Sequence, residues 1–115
     1  MIIRIKNLRL RTIIGVQSWE RRKKQDVIVN VRIDFDGTRA AETDKIEESV
    51  DYKAITKRII EIVEQSEFHL LERLVASISA AIMENQSVRK VWVEIDKPHA
   101  LRFSDSVSIE TQAER

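Results

Sequence analysis

Apolar and polar side chains alternate along residues 26–36, DVIVNVRIDFD, with Val27, Val29, Val31, Ile33 and Phe35 on one face and Asn30, Arg32 and Asp34 on the other. A period of two sustained over this length predicts a β-strand with one buried and one wet face. Residues 2–14 are also rich in β-branched and long apolar side chains, but their parity changes. Ile3 and Ile5 share one phase, Leu8 and Leu10 the other. A one-residue slip turns every side chain to the opposite face, so the switch predicts a β-bulge near Lys6–Asn7. The polar stretch from Gly15 to Gln25, longer than a tight turn, joins the two strands as a hairpin.

The period then lengthens. Ile55, Ile59, Ile62 and Val63 recur at helical spacing over 52–65, and Leu70, Leu71, Leu74, Val75, Ile78 and Ile82 do so over 70–84. Each segment has one apolar stripe and one charged face, so each helix covers something on one side only. Alternation returns with Val91, Val93 and Ile95 in 88–96, and with Val107, Ile109 and Thr111 in 104–112. Pro98 ends the third strand because it cannot donate to a ladder. The order β-β-α-α-β-β packs most economically as an α+β domain: an antiparallel four-stranded sheet with both helices on one face. The strand segments are long against the usual ~5–6 residues. Long edges on a small domain suggest side-by-side assembly into a closed sheet, because closure removes the edges.

Composition narrows the classes of function. The chain has 115 residues, enough for a single domain over 1–115. Twenty Lys and Arg against 19 Asp and Glu leave a net charge of +1, which gives no global pull toward nucleic acid or an anionic membrane. The run Arg21-Arg22-Lys23-Lys24 has no aromatic platform beside it and reads as a solvated loop. There is no cysteine, hence no thiolate nucleophile or disulfide, and the only histidines are His69 and His99. Charges and amides interrupt MIIRIKNLRLRTIIG, so it lacks the apolar core of a signal peptide, and no segment has the apolar length of a membrane span. These features predict a soluble, cytoplasmic protein.

Four local motifs give the chain a family resemblance. They are Ile14-Gly15-Val16 followed by Trp19-Glu20, then Val50-Asp51-Tyr52, Leu70-Leu71-Glu72-Arg73, and Asp96-Lys97-Pro98-His99-Ala100. In this order and spacing the sequence resembles the dihydroneopterin aldolase and dihydroneopterin triphosphate 2′-epimerase family of the tunnelling fold (T-fold), over essentially its whole length. The opening IIRIKNLRLRT and the stretch VEIDKPHALRFSDSVS look more like the epimerase branch, and Trp19-Glu20 more like the aldolase branch. The resemblance implies sheets joined edge to edge into a barrel, in a homo-octamer of two tetrameric rings with active sites at subunit interfaces. It further implies a small-molecule pterin substrate, and no nucleic acid or membrane partner. The zinc-dependent branches of the same fold need a His and Cys ligand set that two histidines and no cysteine do not supply.

The activity implied first is the retro-aldol cleavage of dihydroneopterin to hydroxymethyl-dihydropterin and glycolaldehyde, with epimerisation at C2′. The alternative is epimerisation of the triphosphate with little cleavage. Neither requires a cofactor, because the dihydropterin imine accepts the electrons released when the C1′–C2′ bond breaks. The resemblance makes Lys97 the principal proton-transfer group, Tyr52 a proton donor to C1′, and Glu20 the partner that organises Lys97. Glu72 pairs with the amino group and ring N–H of the pterin, a two-point geometry suited to a carboxylate. Leu71, Val50 and His99 complete the substrate-binding set, and Lys6, Arg9, Arg11 and Arg102 are candidates for phosphate contacts.

Taken singly, each of these residues has a plainer reading. Lys97 is a turn lysine beside a proline, Glu72 a first-turn carboxylate favoured by the helix dipole, and Tyr52 an amphipathic residue at a helix start. Glu20 is a loop carboxylate beside two arginines, and His99 a surface histidine.

Overall fold

The computed structural model describes residues 1–115. The alternating segment forms β2 (Gln25–Phe35), which pairs on one side with β1 (Ile2–Thr12) and on the other with β3 (Val88–Lys97). β4 (Val107–Glu114) pairs with β3, giving an antiparallel meander in the order β1-β2-β3-β4. The parity switch in β1 is a bulge. Ile5 stands opposite Val31 and Leu8 opposite Val29, so Lys6 and Asn7 together face Asn30. Asn7 takes the left-handed conformation at φ 53° that asparagine tolerates. Its N–H donates to Asn30 Oδ1 at 2.8 Å, and Asn30 Nδ2 donates to Asn7 Oδ1 at 3.2 Å.

α2 (Tyr52–Gln65) lies against β1, and α3 (Leu71–Met83) against β3 and β4. The core between helices and sheet comprises Val27, Val29, Val31, Ile33 and Phe35 of β2, Val91, Val93 and Ile95 of β3, and the two helical stripes. Asp51 caps α2 by accepting from the N–H groups of Lys53 and Ala54. At the opposite end of the chain Arg115 supplies the cation that α3 lacks in its own last turn, donating to Met83 O at 2.5 Å and Asn85 O at 3.1 Å.

Three details differ from the sequence pattern. Leu70 is not part of the buried stripe; it is the N-cap residue of α3 and half exposed. The final strand begins at Val107 rather than at residue 104, because Phe103 is left-handed at φ 67° and Ser106 Oγ bonds to Asp96, which turns the chain first. A short helix α1 (Thr38–Thr43) and a 3₁₀ turn at Ile46–Glu48 stand between β2 and α2. Neither buries a residue, so neither leaves a periodic apolar signature.

The outer strands β1 and β4 each have one unpaired edge. The sheet face away from the helices is polar. On it Trp92 lies between Arg32, 4.5 Å from its ring centre, and Lys90, at 4.7 Å.

Candidate active site

The site is built around Gly15, where the chain leaves β1. Its φ of +127° is strained for any L side chain, and a Cβ there would collide with the carboxylate of Glu20. The glycine therefore lets the following turn fold back, with Glu20 N–H donating to Gln17 O at 3.0 Å. This buries Glu20 to 6% exposure on a loop whose neighbours Val16 and Trp19 remain exposed.

Three donors converge on that carboxylate. Gln17 N–H reaches Oε1 at 3.1 Å, while Gln25 Nε2 and Lys97 Nζ reach Oε2 at 3.1 and 2.5 Å. Lys97 is the last residue of β3 and follows the parity of Ile95, so its side chain runs on the helix side of the sheet. Both members of the ion pair are largely buried, with side-chain exposures of 12% for Lys97 and 8% for Glu20. Burial alone pushes the Glu20 carboxyl upward. The Lys97 ammonium, the Gln17 N–H and the Gln25 amide outweigh burial and hold it below the ordinary glutamate value.

Arg21 departs from the expected solvated basic run. Its guanidinium donates to Gly15 O at 3.1 Å, Phe68 O at 2.9 Å and Glu67 O at 2.5 Å, clamping the first loop to the segment that enters α3. The basic run hid this role because a clamp on main-chain carbonyls has no sequence signature. Gln25 is the other residue that sequence reasoning missed. It also donates to Ile14 O at 2.7 Å and so ties Glu20 to the end of β1. The signal that was available was the glycine itself, in a chain with only two.

The remaining candidates are placed differently. Tyr52 opens α2 and is 53% exposed, over a shallow depression lined by Lys53, Thr56 and Lys57. Glu72 is exposed in the first turn of α3. Val50 and Leu71 send their side chains into the core. His99 is exposed in the turn after β3 and borders a cavity of about 330 Å³ with Arg9, Arg11, Asp26 and Pro98. The chain thus brings Glu20 and Lys97 into contact, while none of its principal cavities joins that pair to Tyr52 or Glu72. No group of three or more His, Cys, Asp or Glu side chains is arranged to hold a metal.

This sheet with two helices on one face is shared with solved dihydroneopterin aldolases. A Vibrio cholerae protein assigned as FolB superposes with a TM-score of 0.96 at 26% identity, covering 100% of this chain and 98% of that one. Escherichia coli dihydroneopterin aldolase in complex with neopterin gives 0.91 at 24%, covering 98% of each, a likeness of fold. The family model for dihydroneopterin aldolase (FolB) matches residues 3–112, and the chain belongs to that family. Among curated relatives, the dihydroneopterin triphosphate 2′-epimerase of Pseudomonas aeruginosa is 50% identical over 107 residues, 93% of this chain and 87% of the relative. The E. coli K12 epimerase is 44% identical over 108 residues, 94% and 90% of the two chains. The E. coli K12 dihydroneopterin aldolase is 25% identical over the same length, 94% and 88%. No helix is long and apolar enough to cross a membrane.

Proposed function

We propose that this chain is a dihydroneopterin triphosphate 2′-epimerase. One observation carries the choice. Against two enzymes of a single organism, the chain is 44% identical to the epimerase and 25% to the aldolase. Cleavage of unphosphorylated dihydroneopterin, the activity implied first by the sequence motifs, becomes the secondary activity.

The chemistry needs one proton removed and one carbon–carbon bond opened. Lys97 transfers the proton of the 2′-hydroxyl, and Glu20 fixes the position of Nζ. The C1′–C2′ bond breaks, its electrons pass to C1′ and the dihydropterin imine, and C2′ becomes an aldehyde carbon. If the aldehyde turns over before leaving, re-addition of C1′ to its other face and return of the proton to oxygen invert C2′. Protonation of C1′ by Tyr52 instead commits the intermediate to cleavage. Glu72 accepts from the amino and ring N–H groups of the pterin. Val50 and Leu71 contact it through main chain, since their side chains occupy the core. His99 stands on the side-chain end of the substrate.

The pair Glu20–Lys97 and the exposed Tyr52 and Glu72 belong to one site only when several copies associate. The unpaired edges of β1 and β4, and the exposed Trp19, Tyr52, Leu70, Leu101 and Phe103, support a ring closed edge to edge and stacked as an octamer. Light scattering at micromolar concentration should return at least a tetramer; a monomer rules this arrangement out. The decisive functional measurement offers dihydroneopterin and its triphosphate separately and follows both the 2′-epimer and the released aldehyde. Epimerisation of the triphosphate should dominate, and efficient cleavage without epimerisation would return the aldolase to first place.

A further inference from the structure

We infer that the cavity between Arg9, Arg11, Asp26, Ile28, Pro98 and His99 is a subsite for the polyphosphate chain of the substrate, with Arg9 as its principal anchor. The inference rests on the epimerase reading and adds to it the residues that recognise phosphate.

The cavity lies at the same end of the sheet as the reacting pair. Pro98 and His99 directly follow Lys97, and Asp96 stands opposite Ile28 in the ladder. Lys97 turns to the helix side. Arg9 and Arg11 alternate with Leu8 and Leu10, which pack on the core, so the arginines project on the opposite, wet face. A ligand bridging this end of the sheet has its reacting carbons near Lys97 and its tail over the arginines.

The charges in the cavity are not equivalent. Asp26 is matched by Arg11, whose Nε lies 3.3 Å from Oδ1 and whose Nη2 also donates to Lys24 O at 3.1 Å. Asp96, the neighbouring carboxylate on this face, accepts from Ser106 Oγ at 2.7 Å. Arg9 enters none of the ion pairs of the chain. Its guanidinium is thus an uncompensated cation on a concave surface, with five donors suited to phosphate oxygens. His99 also lines this cavity and adds an imidazole N–H donor. Retaining a phosphorylated aldehyde here also favours its re-addition over its release, which links the subsite to the choice of product.

Two measurements on the full-length protein test this. In the first, binding of inorganic tripolyphosphate is followed by calorimetry for the wild type, Arg9→Ala and Arg9→Lys. Wild type should bind, Arg9→Ala should lose at least about tenfold in affinity, and Arg9→Lys should recover part of it. Absence of binding to the wild type, or equal binding by Arg9→Ala, overturns the subsite, whatever the enzyme's activity proves to be. In the second, Arg9→Ala should raise KM for dihydroneopterin triphosphate about tenfold more than KM for dihydroneopterin, and the gap between the two wild-type KM values should shrink with added salt. Equal changes with both substrates would mean that Arg9 acts on the structure alone and would overturn the assignment. If tripolyphosphate binds through Arg9 but neither pterin is turned over, the subsite stands and the epimerase reading fails.

Discussion

The end of β3 and the starts of the two long helices differ in how far a single chain completes them. At the first, Lys97 and Glu20 are buried, and the carboxylate accepts three hydrogen bonds on a loop held by Arg21. At the second, Tyr52 is half exposed over an open depression, Glu72 is exposed, and none of the principal cavities joins either to the buried pair. A buried ion pair must be geometrically satisfied to be tolerated, because desolvation of both charges opposes it. A recognition group has no such requirement until its ligand or a neighbouring copy arrives. The Glu20–Lys97 corner is therefore preorganised by folding, whereas Tyr52 and Glu72, to which we propose proton donation and pterin recognition, stay open to solvent.

Removing the lysine from the preorganised corner should have the largest effect. Lys97→Ala is expected to lower kcat for both epimerisation and cleavage by ~10²–10⁴, while pterin binding changes only a few-fold. It also strands a buried carboxylate, so the melting temperature should fall; breaking such a pair typically costs about 3–5 kcal/mol. Single-turnover kinetics with parallel thermal melts separate the two effects. Normal turnover by this variant would remove the corner from the chemistry.

Tyr52→Phe probes the unfinished half. Loss of one general acid should reduce cleavage by ~10²–10⁴ while epimerisation persists. The ratio is internal to one preparation, so a folding defect cannot imitate it. Equal loss of both activities would place Tyr52 before the fragments part and would merge the two regions into one functional unit.

Glu72→Ala should act on binding more than on rate. Each charge-assisted hydrogen bond lost contributes about 1.5–3 kcal/mol, so pterin affinity should fall by roughly tenfold or more while kcat changes little. Titration with a non-reactive pterin and steady-state kinetics check this. A fall in kcat at unchanged affinity would exchange the roles assigned to Glu72 and Lys97.

The smallest expected effect is the pH dependence of stability carried by Glu20. Its folded pKa is depressed below the ordinary glutamate value of 4.5. Its stabilisation is therefore fully present above that value and is lost as pH falls through the folded pKa. Melting temperatures of wild type and Glu20→Gln should differ most near neutrality and converge on acidification below the ordinary value. A gap that widened in acid would mean that the carboxylate is strained rather than stabilised in its place.

Periodicity made most of the fold legible. Period two in β2 and β3 and helical spacing in α2 and α3 follow from burying one face of each element. Even the bulge at Lys6–Asn7 showed as a change of parity. The ends of elements were less visible. Leu70 continues the helical spacing, yet as the N-cap residue it points away from the core. The departure of Phe103 into left-handed backbone, which delays β4, has no composition signal. α1 was invisible because it buries nothing.

The site divides along the same line. The sequence by itself determined which residue types are present for chemistry: a glutamate, a tyrosine and a lysine in motifs at fixed spacing, no thiol, and a nearly neutral overall charge. It also determined the order of elements, because hydrophobic period is a local property of the chain. Only the tertiary structure decided that the pairing of residues 20 and 97, implied by the resemblance, is a buried one, that Gly15 must lack a Cβ for them to meet, and that Arg21 is a clamp rather than a solvated cation. It also decided that Asp26 is matched by Arg11 while Arg9 stays unpaired. Those outcomes depend on contacts between residues far apart in the chain and on which charges lose their water, quantities that exist only once the sheet has closed over its helices.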